Sequence, residues 1–391
     1  MDKIIGIVSC YFQHNYGSML QAYATQMALD KLGYKNETID ISGFNREIKI
    51  AKNLYFAKAS LTSDILLSKM GMAMNVLLKR IPKSKYATNS KIRAEKFDSF
   101  SKAKFRLSRI YHSKAELGDA CPEKYSAVIV GSDQLWLPGN IAADYYTLNF
   151  VPKTVNTIAY ATSFGQSSLP KDSAEKASAF LKKIRHISVR EESGQKLVKQ
   201  LTGRSVPVVC DPTLLFTGDE WMSIQVNKPI IKGRYILCYF LGNNSPHREF
   251  AKRLKAETEC KIIALTHLDE YVKSDEGYAD STPYDIDPAD FLNLVRNAEY
   301  VCTDSFHCSV FSILYRRCFF SFRRYTRETR QSTNSRLDTL FNSLGISGRI
   351  MNGDEDIKKC VDLPIDYDEV YKNLGVIREK SYDYLRESLK G

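Results

Sequence analysis

The chain has 391 residues, long for a single hydrophobic core and suited to two domains, and its 43% hydrophobic and 26% charged content is that of a globular protein. Its formal net charge of +11 is uneven: residues 46–109 hold sixteen Lys/Arg against four Asp/Glu, a local balance of +12, so the rest is close to neutral. A confined basic surface favours anionic partners, while nine scattered cysteines without a CxxC pair, and six histidines without a partner at metal spacing, argue against a zinc centre and for reduced, buried thiols.

Met1-Asp2-Lys3 runs straight into Ile4–Val8, so no secretory leader is expected, and no apolar stretch approaches the ~18–20 residues that span a bilayer. A cytoplasmic protein is the expectation.

In chain order, Ile4–Cys10 reads as a strand, His14–Ser18 as a turn, Met19–Leu32 as a helix stopped by Gly33, and Thr38–Ile41 as the next strand, which is a βαβ unit. Residues 44–115 interrupt this rhythm. Within them 61–80 has an apolar side (Ile65, Leu66, Met70, Val76, Leu77, Leu78) next to basic residues at 79–85, a pattern suited either to core packing or to an anionic membrane surface. Strands are expected at 127–130, 157–161, 187–190 and 206–210, with helices around 172–184 and 192–201. After Lys228-Pro229 the alternation restarts, with strands at 235–241, 261–265, 300–302 and 318–322. Helices at 246–258, 289–297, 306–316 and 335–344 accompany them, and a helix over 367–389 closes the chain.

Two α/β halves, each a Rossmann-like parallel sheet, follow from this alternation. The expected division is 1–217 with a basic insert at 44–115, then 218–365, then a C-terminal helix (366–391) packed back on the first half. In such sheets ligands sit beyond the C-terminal strand ends. The polar clusters lie there: Asn15–Ser18, Gly131–Gln134, Ser163–Gly165, Arg190–Glu191 and Asp304–His307.

His307 falls in the first turn of its helix, where the positive helix end gathers anions and an imidazole can move a proton near neutrality. A capped helix with a structural histidine fits the same pattern. From Arg316 to Arg336 there are seven arginines, no lysine and one acid, a composition suited to two-pronged phosphate or carboxylate binding. Arg190 reads equally as a ligand holder or as a salt-bridge partner of Glu191 or Glu192. Asp133 and Trp136, one of two tryptophans, offer a sugar platform or else a turn and a packing ring. There is no dinucleotide fingerprint, no Walker loop and no nucleic-acid-binding motif, so nucleic acid is not an expected partner.

The stretches NYGSMLQAYA (15–24), VGSDQLW (130–136), YATSFG (160–165), SVREESG (188–194), DPTLL (211–215), TDSFHCSVFSI (303–313) and SRLDTLFNSLG (335–345) occur in this order. Together they resemble the polysaccharide pyruvyl transferase family. The resemblance implies a fold similar to the glycosyltransferase-B type, with two Rossmann-like domains facing a cleft. It also implies transfer of a pyruvyl group from phosphoenolpyruvate to a sugar as a ketal. Positions matching Arg190 and His307 hold the donor in the family, but many members read Asp-Arg-X-His where this chain reads Asp304-Ser305-Phe306-His307.

On that resemblance the expected catalytic residues are His307, Arg190 and Asp133. The donor is expected at Arg190, Asp304, Ser305, Phe306, His307, Arg323 and Arg324, and the acceptor at Asn15, Gly17, Ser18, Ser132, Asp133, Gln134 and Trp136. No metal and no cofactor beyond phosphoenolpyruvate as co-substrate is expected. The acceptor is a glycan precursor, lipid-linked in one version, with peripheral contact to an anionic membrane through 46–109. A nucleotide-sugar glycosyltransferase and a non-catalytic scaffold of polysaccharide assembly remain as alternatives.

Overall fold

The computed structural model describes residues 3–59, 85–266, 272–324 and 335–390. The amphipathic stretch 61–80, Arg327 and Arg330 lie outside the described residues.

Two five-stranded sheets form the scaffold. The first comprises β1 (Ile4–Val8), β2 (Asn36–Thr38), β3 (Tyr125–Val130), β4 (Asn156–Thr162) and β5 (His186–Val189), in spatial order β2-β1-β3-β4-β5. The second comprises β6 (Tyr235–Tyr239), β7 (Lys261–Ala264), β8 (Tyr300–Thr303), β9 (Cys318–Phe322) and β10 (Ile350–Met351), in order β10-β9-β8-β6-β7. Read from its β7 edge, the second sheet has the same permutation as the first, and all pairings in both are parallel. All seven residues of β4 and all five of β6 are buried, as strands covered by helices on both faces must be. The strand order reverses between β1 and β3, and again between β6 and β8. Those two crevices are where such sheets bind ligands.

Local chemistry sets the element ends. The helix α1 (Tyr16–Lys31) starts three residues before its first strongly apolar position because Asn15 caps it, its Oδ1 accepting from Ser18 N at 3.1 Å. The segment 206–210, expected as a strand, makes only a single bridge, Val189 to Val208. Pro207 has no N–H to donate, so a ladder cannot continue there. The insert is also more regular than its sequence suggests: α2 (Asn45–Ala59), α3 (Lys85–Lys104) and the start of α4 (Lys114–Lys124) lie in it. Its low apolar content hides them, and α3 exposes Lys91, Glu95, Asp98 and Lys102.

One hydrophobic cluster joins the halves, running from Ile7, Leu20 and Tyr160 to Val301 and Phe311. At its edge Tyr16 stacks on Phe291 with ring centres 4.6 Å apart and donates its hydroxyl to Ile286 O at 3.1 Å. Arg93 of α3, 5% exposed, adds a polar tie by donating to the carbonyls of Tyr284 (3.1 Å), Pro283 (3.1 Å) and Thr266 (3.3 Å) in the second half. The last helix, which becomes α14 once the shorter helices are counted (Tyr367–Leu389), returns to the first sheet. There Asn156 Nδ2 donates to Ser388 O (2.7 Å) and Tyr384 donates its hydroxyl to Ala159 O (3.0 Å). Among the described residues no helix is long and apolar enough to cross a membrane.

Hydrogen bonds to a buried charged group are worth about 1.5–3 kcal/mol. Arg93→Ala is therefore predicted to lower the thermal unfolding midpoint clearly, whereas Leu107→Ala, at a surface position 38% exposed, leaves it nearly unchanged. Equal midpoints for the two variants would remove Arg93 as a tie between the halves.

Candidate active site

The C-terminal strand ends bring four short segments together. After β3 come Ser132 and Asp133; after β5, Arg190 and Glu191; after the bridged segment, Asp211; after β8, the N-terminus of α11 (Phe306–Leu314) with Phe306 and His307. Arg190 is at the centre, 4% exposed. Its Nη1 donates to Asp211 Oδ2 at 2.6 Å and to Ser132 Oγ at 3.3 Å, and its guanidinium lies over the Phe306 ring, 4.6 Å from the centroid. Asp133 Oδ1 and Glu191 Oε2 stand further off, each at 3.9 Å.

Asp211 is fully enclosed. Its Oδ2 also accepts from Ser132 Oγ (2.9 Å) and faces His307 Nε2 at 3.4 Å, while Oδ1 accepts from Thr213 N (3.0 Å) and Thr213 Oγ1 (2.7 Å). Burial by itself would raise this carboxyl, but His307 and Arg190 outweigh burial and hold it far below the ordinary range. Asp133 follows the same logic more mildly: burial opposes ionisation, and His307, Arg190 and the Ser18 hydroxyl (2.6 Å) reverse it. Glu191 goes the other way, pushed up by burial despite Arg190, with Ser163 Oγ donating to it at 2.9 Å.

Asp133 and Ala161 hold left-handed backbone, φ +82° and +52°, a strained conformation for residues with side chains that is concentrated at functional sites. Ala161 O accepts from Ser132 Oγ at 2.9 Å, so the strained backbone on β4 and the Arg190 network are joined by one hydroxyl.

His307 packs its ring directly on Gly17. A Cβ built at Gly17 would lie 2.2 Å from Nδ1 and 2.5 Å from Cγ of the imidazole. Only glycine lets α1 and α11 meet this closely. Three buried nitrogens make no hydrogen bond among the described residues: Arg190 Nε, Arg190 Nη2 and His307 Nε2, which stand 3.9, 3.9 and 3.4 Å from Glu191, Asp133 and Asp211. Buried polar atoms are ordinarily paired, so such a group is a candidate place for a bound anion.

The residues expected from the sequence divide into those this centre contains and those it does not. Arg190, Asp133, Ser132, Ser18, Gly17, Phe306 and His307 are brought together, with Asn15 as the cap of α1 and Gln134 adjacent, its Nε2 buried without a partner. Trp136 is not a sugar platform. It is fully buried, donates Nε1 to Tyr146 O at 3.1 Å and packs against Phe164 and Phe180. Ser132 is inside the network and exposes no hydroxyl to an acceptor. Asp304 is a clamp rather than a donor ligand: its two oxygens accept from Leu241 N (2.6 Å) and Gly242 N (2.8 Å) across the β6–β8 crevice. Ser305 caps α11, accepting from Cys308 N at 3.4 Å. Arg323 is held by both oxygens of Asp338, at 2.7 and 3.1 Å, and Arg324 donates to Asp304 O at 3.4 Å.

Sequence reasoning missed Asp211 and Arg336 as site residues. Asp211 caps the 3-10 turn Pro212–Leu215 with one oxygen, and its other oxygen is what joins the site. Arg336 was one arginine in a run of seven. It is 8% exposed and pushed down to about 9 by burial and by the neighbouring Arg190 and Arg324 guanidiniums. Beside it lies a cavity of about 450 Å³ with Arg190, Asp211, Phe306 and Arg336 in its wall. Among the described residues no group of three or more His, Cys, Asp or Glu side chains is arranged to hold a metal ion.

The sequence profile of a family described as "Polysaccharide pyruvyl transferase" matches residues 15–324. No curated protein matches the chain in sequence. Among solved structures, UDP-N-acetylglucosamine 2-epimerase from Rickettsia bellii is similar over 100% of this chain and 97% of its own, at 12% identity and a TM-score of 0.51. The UDP-GlcNAc 2-epimerase of Methanocaldococcus jannaschii (96% and 93% covered, 12% identity, TM-score 0.47) and the glycosyltransferase SnogD from Streptomyces nogalater (97% and 95%, 13%, 0.41) are more distant in shape. At 12% identity the likeness to the Rickettsia bellii structure concerns the fold alone, an α/β chain with two parallel sheets similar to the glycosyltransferase-B type.

The Gly17–His307 contact is open to a direct test. Gly17→Ala is predicted to lower stability by about 1–3 kcal/mol through overpacking and to shift the His307 imidazole NMR signals. Gly375→Ala, in the last helix with nothing within 4 Å of its Cβ, does neither and gains up to about 1 kcal/mol of helix propensity. Unchanged His307 signals in Gly17→Ala would mean that the two are not in contact in solution.

Proposed function

The chain belongs to the polysaccharide pyruvyl transferase family, whose members are transferases, and on that premise we propose that it moves a pyruvyl group from phosphoenolpyruvate onto two hydroxyls of a sugar in a surface-polysaccharide precursor, forming a ketal and releasing phosphate. The observation that carries this reading is the set of buried nitrogens that make no hydrogen bond, Arg190 Nε, Arg190 Nη2 and His307 Nε2, held only at 3.9, 3.9 and 3.4 Å from Glu191, Asp133 and Asp211. They are suited to an anion that brings several acceptor oxygens, as a phosphorylated carboxylate does.

The chemistry assigns the groups. Carbon C3 of the enol phosphate takes a proton and C2 becomes electrophilic. A first sugar hydroxyl adds to C2 and gives up its proton. A second hydroxyl then forms the other C–O bond as the C2–O bond to phosphate breaks, and its proton leaves with the phosphate. His307 is the proton donor to C3 or the partner of the departing phosphate, and its Nε2 lies 3.4 Å from Asp211 Oδ2. Arg190 anchors the donor. Asp133 is held below the ordinary carboxylate range, which makes it a poor proton sink and a good acceptor for a hydroxyl hydrogen bond. Its role is therefore to orient the sugar, with Gln134 and Asn15 beside it.

Purified protein with phosphoenolpyruvate and candidate acceptor glycans should release phosphate. Arg190→Ala is expected to lose the thermal stabilisation that saturating phosphoenolpyruvate gives, about 2.7 kcal/mol at a hundredfold Kd. His307→Ala is expected to bind the donor but turn over at least about 100-fold more slowly, and Asp133→Asn to raise the KM for the acceptor. A stabilising shift with a UDP-sugar and none with phosphoenolpyruvate would overturn the donor, and undiminished turnover in His307→Ala would remove its role.

Peripheral attachment to an anionic membrane is part of the same proposal and would bring the enzyme to a lipid-linked acceptor. It is supported by α2, where Ile50 (50% exposed), Leu54 (59%) and Phe56 (45%) stand in water near Arg46, Lys49 and Lys58. Ile50→Glu with Leu54→Glu should abolish sedimentation with vesicles containing anionic lipid at low salt. Sedimentation equal to wild type would sink the membrane proposal and leave the chemistry untouched.

A further inference from the structure

The cavity of about 450 Å³ does not lie on the side of the site occupied by Asp133 and His307, neither of which lines it. Its walls come from α7 (Glu192–Thr202), the segment 208–211, the first turn of α11, the helix Ser335–Leu344 and the C-terminal helix Tyr367–Leu389. Leu340, Leu344, Leu374 and Ile377 make most of the wall apolar. Its volume is in the range of ordinary small-molecule sites.

Two guanidiniums meet at the inner end. Arg190 and Arg336, 4% and 8% exposed, lie over the same Phe306 ring, with their guanidinium carbons 4.6 and 5.7 Å from its centroid. Burial pushes Arg336 down, the neighbouring Arg190 and Arg324 add to that, and Asp133 and Glu191 oppose it. Both guanidiniums border the same cavity, and a forked guanidinium is suited to the paired oxygens of phosphate. Two acids also line the cavity. Asp211 is already engaged by Arg190, Ser132 and Thr213, and Glu192 lies on α7. At the other end the exposed Lys380 of the C-terminal helix adds a third cation to the lining.

We infer that this cavity is the donor's binding port, that Arg336 grips the phosphate of a small phosphorylated carboxylate together with Arg190, and that the donor comes in between the helix carrying Arg336 and the C-terminal helix. The inference rests on the proposed pyruvyl transfer for the identity of the donor. It adds a specificity-determining residue and two-sided access: the donor enters past Lys380, and the sugar approaches from the Asp133 side. Arg336 then supplies the second cation that Ser305, committed to capping its helix, does not.

Calorimetric titration of the full chain with phosphoenolpyruvate, inorganic phosphate and pyruvate tests it. Wild type should bind phosphoenolpyruvate, phosphate more weakly and pyruvate weakest. Arg336→Gln should weaken phosphoenolpyruvate at least tenfold, Arg336→Lys less, with pyruvate affected little. Thr339→Trp, which fills the cavity from its wall and leaves both arginines in place, should weaken phosphoenolpyruvate as much and serves if Arg336→Gln fails to fold. Folded variants that bind phosphoenolpyruvate like wild type would overturn the port while pyruvyl transfer stands. If wild type ignores phosphoenolpyruvate but binds phosphate in a way both variants lose, the port stands and the donor reading fails. A wild type that binds neither anion overturns both.

Discussion

The Arg190–Asp211 pair is the constraint on which the rest of the site depends. Two charges taken out of water are tolerated only when each is closely partnered, and removing one member of such a pair costs about 3–5 kcal/mol. Here one nitrogen of the guanidinium meets one oxygen of the carboxylate at 2.6 Å, Thr213 occupies the other oxygen twice, and Ser132 bridges to the strained Ala161 on β4. The arginine is thus fixed by one edge, which leaves Nε and Nη2 presented in a dry place. An anchor of that kind is preorganised: it has little to reorder when an anion arrives.

That pair could not do its work without the topology. Parallel sheets place their C-terminal strand ends on one side, and the identical strand order of the two halves sets one crevice against the other. Asp304 binds the second crevice by holding the backbone of Leu241 and Gly242, which frees the first turn of α11 to present His307 to the opposite half. The halves approach until the imidazole meets the backbone of Gly17. Tyr16, one residue earlier, stacks on Phe291, so the same turn of α1 supplies both an apolar seal and the contact with the histidine.

Much of this was legible in the sequence, and the limits have physical causes. The αβ alternation, the second-half strand at 318–322 and the helices at 335–344 and 367–389 appear where periodicity puts them. Helices of the insert were hidden by their exposed, charged faces, which leave little apolar period to read. Trp136 misled because a tryptophan after a strand end points to either face with the same sequence pattern; only the packing of Phe164 and Phe180 decides. Arg323 was expected on the donor and Arg336 was only one arginine of the run, until Asp338 claimed the first and burial enclosed the second.

By itself the sequence determined the fold class, the family motifs and which short segments fall at strand ends, because hydrophobic period and turn chemistry are local properties of the chain. Tertiary structure alone decided that Asp211 partners Arg190, that Gly17 must be glycine, that Asp304 is a clamp and that Arg336 and Arg190 lie over the same Phe306 ring. Each of those depends on a distance between residues from 21 to 290 positions apart. Such distances are set by how two sheets and their helices pack, and no local pattern encodes them.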